Sequence, residues 1–291
     1  MTTLPLRHLG LALLVASLWG LNNTVAKVVV DHVPPLFSAS SRFAMQGLML
    51  APWLLQSRHR WRQLLLVGLI SGPIHFALLY SGLAHAEHIA PLAITLQMWI
   101  PFATLLAMPL LGERPTVAVW AGLGLAFLGL GVMTFDPRLL EDVDGVSLCL
   151  AATFCWGLSA VLSRRIGGLP AIPLQAWVAN LVWPPLLLAS VITEPAATSA
   201  AADYGWTPFL ALCLFSALSA GIIGNGLMFW LVQRHPVNQV TPLMLAAPIV
   251  TIGAGVVLLG EPITGRVVVG TMLTIGGLLL VTIMDRPRAT G

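Results

Sequence analysis

The chain has 291 residues with 14 Lys and Arg and 11 Asp and Glu, so only 9% of it is charged while 57% is hydrophobic. A soluble domain carries about 25% charged residues and needs a polar surface. The composition, with its mean hydropathy of +0.90, therefore excludes soluble enzymes, nucleic-acid-binding proteins and disordered proteins. The net charge of +3 carries no signal for a nucleic-acid partner, because the placement of the charges matters more than their sum.

Apolar segments long enough to cross a lipid bilayer recur along the whole chain. A membrane-spanning helix needs about 20 mostly apolar residues, and ten segments meet this requirement, of which the second is the weakest because it contains Arg42. They are Leu6–Val29, Pro35–Leu55, Arg62–Ala84, Ile89–Leu111, Pro115–Phe135, Gly145–Ile166, Ile172–Thr193, Thr207–Val232, Val237–Leu259 and Ile263–Met284. The sequence predicts an all-α membrane protein with ten transmembrane helices, whose two longest connections are Asp136–Asp144 and Glu194–Trp206.

The basic residues are distributed unevenly between the two sides of these spans. If both termini are cytoplasmic, three basic residues outside the spans face the outer side, namely Lys27, Arg138 and Arg266. Ten face the cytoplasm: Arg7, Arg58, Arg60, Arg62, Arg114, Arg164, Arg165, Arg234, Arg286 and Arg288. An excess of Lys and Arg marks cytoplasmic loops, so we expect an even number of spans with both termini in the cytoplasm.

Short motifs recur between the two halves of the chain. The LLGE motif of Leu110–Glu113 recurs 148 residues later at Leu258–Glu261, and Trp19-Gly20 recurs 137 residues later as Trp156-Gly157. The same offset of 148 relates Thr116 to Thr264, Gly122 to Gly270 and Gly129 to Gly277. We therefore expect a five-helix repeat in residues 1–140 and a second one in 141–291, inverted because five is odd. In transporters of this design the substrate site lies at the repeat interface.

The duplicated ten-span plan, the early Trp-Gly pairs and the two LLGE motifs resemble the EamA family of the drug/metabolite transporter superfamily. Within it, the overall pattern resembles amino-acid exporters of the YddG type. The resemblance covers nearly the whole chain and implies a bacterial inner-membrane exporter with a central cavity lined mainly by spans 1, 3, 4, 6, 8 and 9. It implies two partners, a small-molecule substrate and the lipid bilayer, with no cofactor and with a monomer sufficient for transport.

Aromatic and polar side chains near the middle of a span each need a partner or a wet cavity. Trp19 and Trp156 lie midway along the first and sixth spans, where they form either cavity walls or repeat-interface packing. His75 follows Gly72-Pro73, and the proline should kink the helix, so His75 is either a substrate or gate residue or a neutral histidine bonded to a carbonyl. The other candidates for the substrate cavity are Asn22, Tyr80, Gln97, Trp99, Ser159 and Asn225.

Several positions are candidate hinges or structural residues. Pro101 and Pro248 fall at corresponding places in the fourth and ninth spans, and paired broken helices point to a transporter site. With Gly72, Pro73 and Gly224 they are the hinge candidates. Arg42 is interpreted as a side chain that snorkels or pairs with carbonyl groups, in preference to one that binds substrate. Glu113 and Glu261 at symmetric span ends suggest helix capping.

The sequence predicts neither a metal site nor catalysis. Cys149, Cys155 and Cys213 lie in apolar runs without a CxxC motif, and the His85–His88 segment lacks a third anchored metal ligand. Because no Asp or Glu lies in the middle of a span, we expect a zwitterionic or neutral metabolite as substrate rather than an organic cation. A few alternatives stay open.

The favoured hypothesis is export of amino acids, aromatic or otherwise apolar, by alternating access and facilitated diffusion. The main alternative is a multidrug or other metabolite exporter of the same superfamily, proton-coupled through His75. A nucleotide-sugar carrier would need basic residues near the midplane. An intramembrane enzyme is a remote alternative, because His75 has no acidic partner at its level in the membrane.

Overall fold

The computed structural model describes residues 5–56, 58–112, 114–134, 142–168, 170–235, 240 and 243–284, and this part of the chain contains helices and no strand. We number the described helices in chain order. They are α1 (Leu6–Val30), α2 (Pro35–Leu50), α3 (Trp61–His85), α4 (Ile89–Leu111), α5 (Val117–Thr134), α6 (Val143–Ile166), α7 (Ala171–Thr193), α8 (Ala197–Tyr204), α9 (206–234), α10 (Ala246–Leu259) and α11 (Gly265–Met284).

Length and composition make most of these helices suitable for a bilayer. Helices α1, α3, α4, α6 and α7 and the Trp206–Met228 part of α9 are each long and apolar enough to cross a membrane, while α5, α10 and α11 are shorter apolar helices. Large apolar side chains such as Leu188, Val191 and Ile192 of α7 are exposed on the outer surface, where lipid tails cover them. The prediction of an all-α, multi-pass membrane protein is thus confirmed.

Two connections differ from the simplest expectation. Helix α2 has 16 residues, fewer than a full span needs, and a 3₁₀ turn over Ala51–Leu55 prolongs it. The long connection between α7 and α9 contains the short helix α8, whereas the sequence indicated only a loop there.

Four helices are interrupted near the middle of their length. Helix α3 contains a π-helical turn over Ile70–Ile74, in which Gly72 has the non-helical angles φ −104° and ψ −107°. Pro73 explains this turn, because its ring removes one backbone donor and clashes with the preceding turn. Helices α9 and α10 contain π-helical turns over Ala217–Gly224 and Gly255–Leu259, and α4 contains a 3₁₀ turn over Leu96–Met98.

The five hinge candidates lie at or beside these irregular places. Gly72 and Pro73 belong to the π turn of α3, and Gly224 ends the π turn of α9. Pro101 and Pro248 are each the third residue of a regular helical segment, Trp99–Leu111 and Ala246–Ala254. Proline is tolerated there because the first turn of a helix has no internal acceptor for its N–H groups. Their role as hinges stays a prediction.

Helices α5 and α11 pack against each other through glycines. A Cβ atom added to Gly122 would lie 2.7 Å from the carbonyl oxygen of Gly277, and one added to Gly129 would lie 2.6 Å from that of Gly270. The pairing is antiparallel, and it is reciprocal: each glycine of α5 contacts the residue 148 positions after the other one. Small residues permit this close backbone approach.

A second pair of contacts obeys the same offset. A Cβ added to Gly20 of α1 would lie 2.8 Å from Cβ of Val250 in α10, and one added to Gly157 of α6 would lie 3.1 Å from Cβ of Phe102 in α4. Gly20 and Gly157 belong to the repeated Trp-Gly motif, and Val250 follows Phe102 by 148 residues. Helix α1 therefore packs on α10 as α6 packs on α4.

Carboxylates from distant loops cap the start of two helices. Glu261 accepts a hydrogen bond of 2.5 Å from the backbone N–H of Ile89 at the start of α4. Glu194 accepts bonds of 2.9 and 3.0 Å from the N–H groups of Leu36 and Phe37 in α2. Exposed N–H groups at a helix start favour such anionic partners. The capping prediction is confirmed for Glu261, while Glu113 lies outside the described residues.

Candidate functional site

Two adjoining cavities lie between the helices. Their volumes are about 250 and about 270 Å³. Both are lined by Arg42, Phe76, Trp99, Trp156 and Asn225, so they are neighbouring parts of one site. Small-molecule sites have volumes of about 300–1,000 Å³, and the two parts together reach that range. We call this space the central cavity.

Aromatic side chains from four helices form its walls. Trp19 of α1 lines the larger part, whereas Phe76 of α3, Trp99 of α4 and Trp156 of α6 line both parts. The predicted pair Trp19 and Trp156 is therefore brought to the same cavity. Rings of this size supply apolar area and stacking faces for a substrate side chain.

His75 lies in the wall of the larger part and is buried. Its Nδ1 atom is 2.8 Å from the carbonyl oxygen of Ala152 in α6, and its ring centroid is 5.0 Å from that of Trp156. A carbonyl oxygen only accepts hydrogen bonds, so Nδ1 carries a proton and donates it to this bond. The structure thus combines both interpretations of His75: it lines the cavity, and its Nδ1 is bonded to the backbone.

Neutral polar side chains line the rest of the cavity. Asn22 accepts a hydrogen bond from the Ser216 hydroxyl, which ties α1 to α9. Asn225 donates a bond of 3.1 Å to the carbonyl of Gly221 in the π turn of α9. Gln97 lines the larger part and Ser159 the smaller one. These four predicted residues are therefore brought together with the aromatic walls.

Tyr80 differs from the other candidates, because it does not line either part of the central cavity. Its hydroxyl accepts a hydrogen bond of 3.1 Å from Nη1 of Arg42. It lies behind Arg42, beside a space of only about 10 Å³ that Cys213 and Ser216 also line. The structure thus places Tyr80 next to the cavity through Arg42, rather than in its wall as expected.

Arg42 was not among the sequence candidates for substrate binding. It is the eighth residue of α2, is 6% exposed, and lines both parts of the central cavity. Its guanidinium carbon lies 4.7 Å from the ring centroid of Phe43 and 5.7 Å from that of Phe76. The interpretation as a snorkelling or carbonyl-bound side chain is wrong, since the guanidinium stays inside and bonds a phenol. The cost of a charge at mid-helix was the available signal.

Helices α2 and α7 also contribute to the cavity, in addition to the spans that the family resemblance implied. Gln46, one turn after Arg42, is 1% exposed, and its amide nitrogen and oxygen both lack a hydrogen-bond partner among the described residues. It packs against Gly221 of α9. Leu174, Gln175 and Val178 of α7 line the smaller part. Sequence alone did not single out these residues, because glutamine and leucine are common in any helix.

No metal-binding group of three or more His, Cys, Asp or Glu side chains occurs among the residues that the structure describes. The described salt bridges lie elsewhere, between Lys27 and Asp31 and between His88 and Asp142. The central cavity therefore offers one buried cation, neutral amides and hydroxyls, and aromatic faces. This chemistry suits binding rather than bond cleavage.

Comparison with known proteins agrees with this conclusion. The EamA-like transporter family matches residues 7–135 and 144–283. A "probable amino-acid metabolite efflux pump" of Salmonella typhimurium is 31% identical over 96% of both chains, and one of Escherichia coli is 30% identical over 93% of both. A solved crystal structure with 20% identity shares the fold over 95% of this chain and 96% of its own, with a TM-score of 0.62. The chain therefore belongs to the EamA-like transporter family and is a membrane transporter rather than an enzyme.

Proposed function

We propose that this protein exports amino acids, with apolar and aromatic ones favoured, or similar small zwitterionic metabolites, across the bacterial inner membrane. The observation that carries the proposal is the lining of the central cavity. It combines Trp19, Trp99 and Trp156 with the buried Arg42, and no Asp or Glu occurs among its described lining residues. The efflux-pump names of the Salmonella and Escherichia relatives support the same substrate class.

The proposal includes ten spans in two inverted repeats, residues 1–140 and 141–291, with both termini cytoplasmic. The reciprocal glycine contacts of α5 and α11 support a two-fold relation, because a two-fold axis turns one contact of each pair into the other. The matching contacts of Gly20 and Gly157 support it independently. Inverted repeats around a midplane site are typical of secondary transporters.

Alternating access is the mechanism that this arrangement favours. The two repeats would rock around the central cavity, and the irregular turns at Gly72, Pro73 and Gly224 would absorb the bending, together with the helix starts at Pro101 and Pro248. Such positions change backbone angles at low cost because their regular hydrogen bonding is already interrupted. One chain supplies every described wall of the cavity, so a monomer suffices.

Facilitated diffusion is the energetics that the His75 geometry supports, because its Nδ1 is engaged with a backbone carbonyl. Flux from proteoliposomes with and without an imposed pH gradient tests this. We expect amino-acid flux to follow the amino-acid gradient alone. Accumulation driven by the pH gradient, and lost in His75→Ala, would instead establish the alternative of a proton-coupled exporter.

The site assignment is tested by substitution of a wall residue. Loss of a buried aromatic ring removes about 1.5–3 kcal/mol of contact free energy, so we expect Trp99→Ala to weaken transport of aromatic amino acids about tenfold or more. The matched control is Trp120→Ala in α5, whose side chain is exposed on the outer surface. The measurement is efflux of radiolabelled amino acids from loaded proteoliposomes. Unchanged efflux in both Trp99→Ala and His75→Ala would refute the assignment.

A further inference from the structure

The central cavity contains a buried guanidinium whose hydrogen bonding is incomplete. Arginine has five N–H donors; Nη1 of Arg42 donates to Tyr80, whereas Nε has no partner. Nearly all buried polar groups in proteins have a partner, and an uncompensated buried charge is strongly destabilising. Among the described residues no acidic side chain forms an ion pair with Arg42. The site thus lacks both an acceptor and a negative charge.

We propose that Arg42, assisted by Gln46, binds the carboxylate of the transported molecule, and that the amino group of the substrate is dispensable. The proposal rests on the function proposed above and names the substrate class more narrowly: small apolar carboxylic acids, with or without an ammonium group. A carboxylate matches the planar guanidinium through paired, charge-assisted hydrogen bonds. It would supply the acceptor and the charge that Arg42 lacks.

Gln46 is placed to complete this subsite. It follows Arg42 by four residues, so the two side chains lie on the same face of α2. Both line the smaller part of the central cavity, and the Gln46 amide lacks partners for its nitrogen and its oxygen. An amide N–H beside the guanidinium offers a carboxylate one more donor. Two neighbouring side chains with unsatisfied donors are an independent indication of an anionic ligand.

The rings around Arg42 fix the orientation of the guanidinium. Phe43 and Phe76 lie within 4.7 and 5.7 Å of its carbon, at cation–π distance, and Tyr80 bonds it from the side away from the cavity. This arrangement holds the guanidinium against the cavity. Lysine has neither the flat shape nor the fork of donors, so it would not reproduce the site.

An ammonium group has no comparable partner. The described lining contains neither Asp nor Glu, and its acceptors are neutral groups such as Asn23 and Gln97. The positive charge of Arg42 repels a second cation nearby. Recognition of the amine therefore adds little to binding, and an amine without a carboxylate should bind poorly.

Competition in proteoliposomes that contain the full-length protein tests this inference. We expect phenylpyruvate and N-acetylphenylalanine to inhibit efflux of radiolabelled phenylalanine within about threefold of unlabelled phenylalanine. Phenethylamine should be weaker by at least about tenfold, the factor that loss of one good charge-assisted interaction produces. Arg42→Gln and Arg42→Lys should each weaken the effect of phenylpyruvate about tenfold to a hundredfold. The matched control is Arg62→Gln, because Arg62 is exposed at the start of α3.

A measurement of binding without flux separates the two proposals. Phenylpyruvate should raise the thermal stability of the detergent-solubilised wild-type protein and of Arg62→Gln, but not that of Arg42→Gln or Arg42→Lys. If phenylalanine is transported while phenethylamine competes as well as phenylpyruvate, the carboxylate subsite is refuted and the proposed function survives. If no amino acid is transported while the Arg42-dependent stabilisation is observed, the proposed function fails and the subsite stands.

Discussion

The interface of α5 and α11 and the central cavity are built on opposite principles. At the interface, glycines bring two backbones into contact, and the Thr274 hydroxyl donates to the carbonyl of Ala126 at 3.3 Å. At the cavity, Arg42 and Gln46 keep polar atoms without partners although both side chains are buried. The difference teaches that one region stabilises the protein through close packing, while the other sacrifices stability to hold groups ready for a ligand.

The two regions also differ in how they repeat. The glycine contacts of α5 and α11 recur in reciprocal positions. Arg42 has no such counterpart, since the offset of 137 residues leads to Ala179, and the offset of 148 leads from His75 to Ile223. Repeated contacts therefore surround a cavity whose charged and titratable groups come from one half of the chain. An asymmetric substrate, with a carboxylate at one end and an apolar side chain at the other, matches such a cavity.

Gly129→Ala should break the packed interface, and we expect it to have the largest effect. Its Cβ would lie 2.6 Å from the carbonyl oxygen of Gly270 and 2.6 Å from the backbone nitrogen of Thr274. Backbone atoms cannot move aside without separating the helices, so the free energy of unfolding should fall by about 2–3 kcal/mol, the usual cost of overpacking. Thermal unfolding in detergent measures this loss.

The matched control is Gly131→Ala, two residues further along α5, where an added Cβ meets no atom within 4 Å. Because alanine favours the helix over glycine by about 1 kcal/mol, this variant should be as stable as wild type or slightly more so. Equal destabilisation by both substitutions would show that glycine at the interface serves helix geometry rather than close approach.

Gly224→Ala should sharpen the comparison at the edge of the cavity. Its Cβ would lie 2.7 Å from the indole nitrogen of Trp19, which must shift and displace part of the cavity wall. A side chain moves more easily than a backbone, so we expect a severalfold lower initial rate of amino-acid efflux with folding retained. Gly226→Ala has open space around its Cβ and should transport like wild type. A similar loss of rate in both variants would contradict a specific effect on Trp19.

The scaffold was predictable because its signals are periodic. Apolar length predicted the long helices, and the repeated LLGE motif pointed to Glu261, whose position before α11 and distance from Ile89 follow from chain folding. The cap itself was foreseen, but its partner was not, because Ile89 is 172 residues away. Contacts at that separation depend on how the helices assemble, and no local pattern encodes them.

The cavity was predictable only in part. Trp19 and Trp156 were found from their symmetric midspan positions, and eight of the nine candidates line the cavity. Arg42 was misinterpreted because a charge in a span has two physical solutions, escape toward water or burial beside aromatic and phenolic groups. The choice depends on Phe76 and Tyr80 of α3, and a sequence does not show which helix packs against α2.

Glu261 lies between the two extremes, since it is a satisfied cap and yet a buried acid, and its effect should be the smallest. Burial raises its pKa above the ordinary value of 4.5, and the hydrogen bond from Ile89 only partly opposes this. A raised pKa means that the folded state favours the protonated acid, so stability should decrease as the pH rises from about 4.5 through the higher folded pKa. Glutamine keeps an oxygen for the Ile89 N–H but cannot ionise. Glu261→Gln should therefore lose this pH dependence and equal or slightly exceed wild type at neutral pH, whereas Glu261→Ala should be destabilised by about 1 kcal/mol through loss of the cap. Unfolding temperatures measured from acid to neutral pH test both variants, and parallel curves for wild type and Glu261→Gln would show that the carboxylate contributes through its hydrogen bond alone.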